Sequence, residues 1–597
     1  MESARRPSPA SCTVMPTITL VQNFLLSSFV SLHLCFVIAL LPHASTAMTS
    51  RSRSPSIEAN RELESLHQAK SHVSHQSNTK SRDLAENTGS IRYEDLTFET
   101  EVLTTAHLST NSIRAPNLKQ YDSPFKWSAT RKNTCLILSC ASTFLAAYSA
   151  GSYSIASGPL QAKFHVSNEA YQTGVTAWCV GFACSPMFLA PLSELNGRRP
   201  VFLASGLIFF VAQIGCAVTQ SFAGLIVARF FVGAGASTFA TIIGGVLSDV
   251  YHAEYRNTPM ALYSASALAG TGFGPMLTGF VVTRVFWRWV FWHQVIALGI
   301  VMAGIVVFFK ETRGSVLLSR KAAILNKYLD DIEKDNTKTA AQEDKPSSRV
   351  PQVRYNVPSD ASKKDILHMI YLSLTTPFKL LFTEPVVFFF SLWAAFAWGV
   401  LYMTLNVLPL VFRTNHNFTT EQVGATFASL IIGVLLILVV SITQEKVAKK
   451  YYPKLLSAPE GRLYFACLEA ALLPIGLFWF GWTSYPGIPW IVPCLGIGCA
   501  IMGIFSIYLA VFNYLADVYH RYASSALACQ SFCRNILAAV FPLFSEIMFR
   551  RLGFPGASSL LGGVAALLTI VPWVLVFKGE KIRSKSRIAS EIMKTHH

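Results

Sequence analysis

Twelve apolar runs, each close to bilayer-spanning length, dominate this sequence and leave few folds open to it. They lie at about 134–157, 172–192, 200–219, 222–246, 261–283 and 290–309. Six more follow at about 386–411, 422–442, 463–482, 488–511, 523–548 and 557–577. A helix needs about 20 mostly apolar residues to cross the hydrocarbon core. Between the two sets lies a polar insert, 313–382, with mixed charges and several prolines. Six runs, a hydrophilic linker and six more runs predict an all-α integral membrane protein of twelve transmembrane helices in two repeated halves. Composition agrees. The chain is 52% hydrophobic and only 14% charged, against about 25% charged in soluble domains.

The pattern divides the chain into segments. Residues 313–382 form a cytoplasmic linker between a first bundle, 131–312, and a second, 383–578; a short C-terminal tail, 579–597, follows. Residues 48–130 are rich in Ser, Arg, Glu, Asn and His without periodicity and read as a disordered cytoplasmic tail. Residues 1–47 look like a signal sequence, with Arg5 and Arg6 ahead of an apolar core. A cleaved signal would put the tail outside and invert every span against its charge bias. Met48 is therefore the expected native start, and 1–47 an upstream extension.

The net charge is +17. In a soluble chain that would point to nucleic acid. Here the basic residues gather in the tail, the C-terminus and alternate loops, including Arg131, Lys132, Arg198, Arg199, Arg256, Arg462 and Arg521. That is the distribution of cytoplasmic loops. Both termini are expected in the cytoplasm, with the bilayer as partner and no nucleic acid. The one Asn-x-Ser/Thr sequon, Asn417-Phe418-Thr419, falls on the predicted outside and is a weak glycosylation candidate. The 12 cysteines form no CxxC or Cys/His cluster, so neither a disulfide framework nor a metal is expected. HExxH, GxSxG and Walker-type motifs are absent, and with them the expectation of an enzyme, a cofactor or an ATP-driven pump.

Polar knots inside the apolar runs carry the functional information. "APLSELNGRRP" sits between the second and third spans, with Glu194, Gly197, Arg198 and Arg199. Alone, its arginines would be topology anchors. "RFFVGAGAS" places Arg229 inside the fourth span, where a charge costs about 2.5–3.5 kcal/mol on insertion scales. Such a residue should face a cavity or a partner. "ALAGTGFGPMLTGF" in the fifth span holds Gly270, Gly274, Pro275 and Gly279, a helix surface built for close approach. Arg534 lies at lipid depth in the eleventh span. Asp249, just past the fourth span, could join Glu194 and Arg198 in an inner-face network.

These features, in this order, resemble the major facilitator superfamily. "APLSELNGRRP" is similar to its loop 2–3 signature, with Glu194 where Asp is common and Leu195 where a basic residue is common. Arg229 matches the buried arginine of its fourth helix, and "GTGFGPMLTG" its antiporter signature. "SDVYHAEYR", "WRWVFW", "KETRGSVLLSRKA", "FTEPVV", "PEGRL", "NYLADVYHRYASSALA" and "RNILAAVFPLF" resemble the fungal twelve-span drug/proton antiporter branch of multidrug, polyamine and toxin exporters. The resemblance covers about 122–577.

The resemblance implies a monomeric, proton-driven antiporter in which two bundles rock about a central site. The expected location is the plasma membrane, with the vacuolar membrane as the alternative. The first, fourth, seventh and tenth helices would line the cavity. They contribute Tyr148, Tyr153, Trp398, Tyr402, Asn406, Tyr508, Asn513 and Tyr514 as substrate candidates, with Arg229 and Arg534 as coupling candidates. A Glu194/Arg198/Asp249 latch would hold the outward-open state. Export of small amphipathic molecules, xenobiotics or a secreted metabolite is the expected function. Export of polyamines or other organic cations is the alternative within the class; a transporter-like membrane sensor is a more distant one.

Overall fold

The computed structural model describes residues 92–100, 116–252, 255–343, 353–357, 366–451, 459–519 and 523–585. The signal-like segment 1–47, the tail to residue 91, Arg521 and residues 586–597 lie outside the described residues. All the described residues belong to one unit, Ile91–His597.

The first bundle comprises α1 (Ala129–Ile155), α2 (Asn168–Leu195), α3 (Arg198–Val218), α4 (Phe222–Val250), α5 (Asn257–Arg284) and α6 (Trp289–Phe308). Two linker helices follow, α7 (Gly314–Glu343) and α8 (Ile366–Thr383). The second bundle comprises α9 (Pro385–His416), α10 (Thr420–Tyr451), α11 (Leu463–Thr483) and α12 (Ile491–Tyr519). Its last two helices, α13 and α14, run together over Ala523–Lys585 and are divided by non-helical Gly553. Counting that pair separately, twelve helices among the described residues are long and apolar enough to span a membrane.

Local chemistry marks the ends. Ser128, Ser167 and Ser221 accept hydrogen bonds from the first-turn amides of α1, α2 and α4. Thr419 and Gln422 form a capping box at the start of α10. The turn from α2 to α3 passes through Gly197 at φ 102°, a conformation costly for any residue with a Cβ. Asn417, exposed and left-handed at φ 52°, ends α9, its amide donating to Phe412 O.

Large apolar side chains point outward along the helices: Leu207 is 60% exposed, Ile300 70% and Leu567 68%. No aqueous fold leaves such a belt uncovered, whereas lipid covers it at no cost. The chain is a multi-pass membrane protein.

Two features depart from the expectations above. The segment 48–130, expected to be disordered, contains a strand, β1 (Arg92–Asp95), paired in parallel with β2 (Val353–Asn356) of the linker. The all-α expectation thus holds for the membrane part and not for this two-stranded ladder. Leu96 and Tyr355 pack with Val357 on Ala322 and Leu325 of α7. The Asn326 side chain brackets Tyr355, donating to its carbonyl and accepting from its amide at 2.8 Å each. Arg354 donates to Glu333 at 2.9 Å. A four-residue strand carries too little alternation to read alone, and its partner lies some 260 positions away. The second departure is α8, an apolar helix inside the expected polar linker, which sets Phe378 against Phe532 of α13.

Candidate functional site

A cavity of about 580 Å³ lies between the bundles. Its wall carries Glu194 from the end of α2, Arg198 from the start of α3, Asp249 from α4, and Tyr508, Phe512 and Asp517 from α12. Gln530 and Arg534 of α13 complete the second-bundle side.

Its mouth is a charge cluster. Arg198 donates from Nε to Asp249 Oδ2 at 3.2 Å and from Nη1 to Ser193 Oγ at 2.7 Å. Its Nη2 lies 3.9 Å from Glu194. Arg313 completes the square, 3.5 Å from Asp249 and 4.0 Å from Glu194. Two carboxylates between two guanidiniums satisfy each other in a partly desolvated place. Glu311, not among the residues singled out from sequence, organises the backbone beneath. It accepts from the amides of Arg198 (2.8 Å), Arg199 (3.2 Å), Thr312 (3.1 Å) and Arg313 (3.0 Å). A buried carboxylate at the first turn of α3 meets unsatisfied amides and the positive helix end together. Arg199 points away and donates to Val306 O. The sequence signal for Glu311 and Arg313 is "KETRGS", but which groups they hold is visible only in three dimensions.

The expected latch residues therefore do meet. All belong to the first bundle and the turn after it, so the cluster does not itself join the bundles. Three consecutive residues do so at this end. Arg256 pairs with Asp517 at 3.3 Å. Asn513 donates to Asn257 at 2.9 Å, and Thr258 to Glu445 at 3.2 Å. At the opposite end the seam is tied by Asn168 to Glu546, Asn406 to Gln172 at 3.1 Å, and Thr176 to Ala539 O at 2.9 Å. Arg284 pairs there with Glu421 at 3.0 Å.

Arg229 sits within the first bundle, away from this cavity's wall. It donates to Ser149 O at 2.9 Å and Gly174 O at 3.3 Å, and lies 4.4 Å from the Tyr153 ring centroid. Carbonyl dipoles and a π face stand where a carboxylate would be expected. Tyr153 in turn stacks on Tyr171 at 4.3 Å. Tyr148 bonds His293 at 2.8 Å between α1 and α6. Tyr514 donates to Glu460 at 3.4 Å inside the second bundle, where Glu460 also pairs with Arg583 at 2.6 Å. Of the eight aromatic and amide candidates, Tyr508 lines this cavity. Trp398 stands beside it, 5.3 Å between centroids, and Tyr402 lies behind Trp398 against Trp178. Arg534 is covered by Trp398 (4.3 Å to centroid) and Tyr508 (4.8 Å).

The glycine run of α5 is a seam. A Cβ on Gly274 would sit 2.7 Å from Ser152 N and Tyr148 O of α1, and one on Gly270 would strike Phe144 O. Pro275 packs where Gly151 of α1 has no side chain. A Cβ on Gly279 would instead sit 3.1 Å from Gly424 Cα of α10. One helix thus touches its own bundle through Gly270 and Gly274 and the other bundle along its length, from Asn257 through Gly272 to Gly279.

Two helical bundles around a central cavity, joined by ion pairs at both ends, are the architecture of a polytopic transporter. The chain belongs to the Major Facilitator Superfamily, whose family model matches residues 139–525. It is 36% identical to the efflux pump atB of Aspergillus terreus, over 68% of this chain and 82% of that one. It is 32% identical to the multidrug transporter mdrA of Aspergillus fumigatus, over 78% and 74%. Among solved structures, the proton:xylose symporter XylE superposes with a TM-score of 0.54 at 15% identity, covering 75% of this chain and 97% of that one. That last likeness is one of fold.

Proposed function

We propose that this protein exports small amphipathic molecules, xenobiotics or a secreted metabolite, by proton antiport with alternating access. The observation that carries the reading is the inter-bundle cavity, walled by aromatic and charged side chains, in a chain whose relatives are named as efflux pumps and multidrug transporters. A cavity of this size suits a drug-sized ligand. In this reading the protein acts as a monomer in the plasma membrane with both termini cytoplasmic, and the cavity's charged mouth faces the cytoplasm.

Exchange of access requires the two sets of ties to alternate. Contacts of 256–258 with the second bundle hold the cytoplasmic end, and the Asn168–Glu546 end holds the other. Protons enter through the mouth carboxylates. Protonating Asp249 or Glu194 removes a partner of Arg198 and Arg313 and frees the α2–α3 turn to move against the second bundle. The test is expression in a yeast lacking its own exporters, with growth scored on a panel of toxic amphipathic compounds with and without a protonophore. Resistance that the protonophore abolishes is the expected result. Resistance indifferent to the protonophore overturns proton coupling, and no gain of resistance on any compound overturns export.

A further inference from the structure

The charges on the cavity wall do not balance. Among the described residues three carboxylates line it, Glu194, Asp249 and Asp517, and four arginines, Arg198, Arg256, Arg313 and Arg534. The first three arginines pair with the three carboxylates at the mouth. Arg534 is left over. It is 2% exposed, and its contacts are the Trp398 and Tyr508 rings. Its buried Nε has no acceptor. Gln530, one helical turn earlier on the same face of α13, is also 2% exposed, and its Nε2 has no acceptor either. Two buried donors one turn apart, both on the wall of one cavity and both unsatisfied, are costly unless something fills them.

We infer that Gln530 and Arg534 form the binding site for the anionic group of the transported molecule, a planar amphipathic organic acid. The inference rests on the export reading above for the word "transported", and on the geometry alone for binding. The guanidinium carbon lies 4.3 and 4.8 Å from the Trp398 and Tyr508 ring centroids, and a guanidinium engaged with aromatic rings keeps its N–H groups for a two-oxygen group such as a carboxylate. The Gln530 amide supplies a further donor. Tyr508 and Phe512, whose centroids are 6.1 Å apart, give the adjoining wall an apolar, aromatic face for the ring system. The negative charge of the ligand neutralises the positive charge of Arg534, which has no carboxylate partner among the described residues. An organic cation meets the opposite field.

Three probes of one shape separate the classes: 2-naphthoate, neutral 2-naphthamide and cationic 2-naphthylmethylammonium. Affinities are measured on the purified full chain in detergent or nanodiscs, with no gradient present. Naphthoate is expected to bind at least about tenfold more tightly than either of the others, the scale of a charge-assisted hydrogen-bond pair. In Arg534→Gln that preference should vanish while naphthamide binding stays within about threefold. In Gln530→Leu naphthoate should weaken more than naphthamide, which keeps the test open if Arg534→Gln does not fold. Naphthamide or the ammonium probe matching naphthoate on the native protein overturns the proposal. So does a naphthoate preference that survives Arg534→Gln. Anion-selective binding without drug resistance in yeast would sink the export reading and leave this site standing. Resistance without anion preference would do the reverse.

Discussion

The carboxylate of Glu311 accepts the backbone amides of both Arg198 and Arg199 across 113 and 112 residues of sequence. The end of the first bundle thereby caps the start of its third helix. The two arginines are consequently held with their side chains diverging, one into the cavity mouth and one onto α6. The signature loop between α2 and α3 is positioned from below by a residue outside it.

Removing that cap should unfold the turn before it touches transport chemistry. Glu311→Ala orphans two buried and two half-buried amides, and a loss of about 2 kcal/mol is expected. Glu311→Gln keeps one acceptor oxygen, without the charge, and should lose less. Thermal unfolding of purified protein, followed by tryptophan fluorescence, would give that order. Gly197→Ala should resemble Glu311→Ala, since its φ of 102° is strained for alanine and its Cβ would collide with the Glu311 carboxylate.

Arg256 and Asp517 join the bundles at the mouth, 3.3 Å apart. Arg256→Asp and Asp517→Arg should each slow efflux several-fold at unchanged surface expression, because each places like charges across the gap. The double exchange should recover a good part of the rate. Efflux by the four proteins forms a double-mutant cycle, with a coupling of about 1 kcal/mol expected. Purely additive losses would show that the pair does not act across the seam.

The α5 seam admits no side chain at Gly274. Gly274→Leu should abolish assembly, and Gly274→Ala should lower the yield of monodisperse protein severalfold, since its Cβ would lie 2.7 Å from two backbone atoms of α1. Gly563→Ala is the control. Nothing lies within 4 Å of that Cβ, and alanine there should be neutral or stabilising by a few tenths to about 1 kcal/mol. Fluorescence-detected size exclusion reads both.

The ladder between tail and linker predicts a specific cross-link. Asp95 and Asn356 are Cα partners. A chain with both as cysteine and a protease site placed within 101–115 should stay joined after mild oxidation and cleavage. The pair displaced by three residues, Asp95→Cys with Val353→Cys, should fall apart. The opposite outcome would refute the register.

The spans were legible because bilayer thickness acts on contiguous sequence. Run length and hydropathy are local, and each helix closes its own backbone hydrogen bonds, so 222–246 and 261–283 can be read without knowing any neighbour. Arg229 and Arg534 were legible for the same reason: a charge in such a run is conspicuous. Their surroundings were not. Arg229 found two carbonyls and a tyrosine ring inside its bundle, whereas Arg534 found two aromatic rings and a cavity. Nothing in the flanking residues distinguishes those fates, because the deciding atoms come from other helices. Tyr148 and Tyr514 were grouped with Tyr508 by helix number, yet one turns to His293 and one to Glu460.

By itself, then, the sequence determined a twelve-span, two-bundle membrane transporter and the identity of its out-of-place charges, since the solvent in which each segment folds selects for length, apolarity and the rarity of charge. Tertiary structure alone decided which charges are neutralised. Pairing requires approach within a few ångströms by residues up to 261 positions apart, as from Arg256 to Asp517. Packing brings carboxylates to Arg198, Arg256 and Arg313 and leaves Arg534 facing the cavity without one.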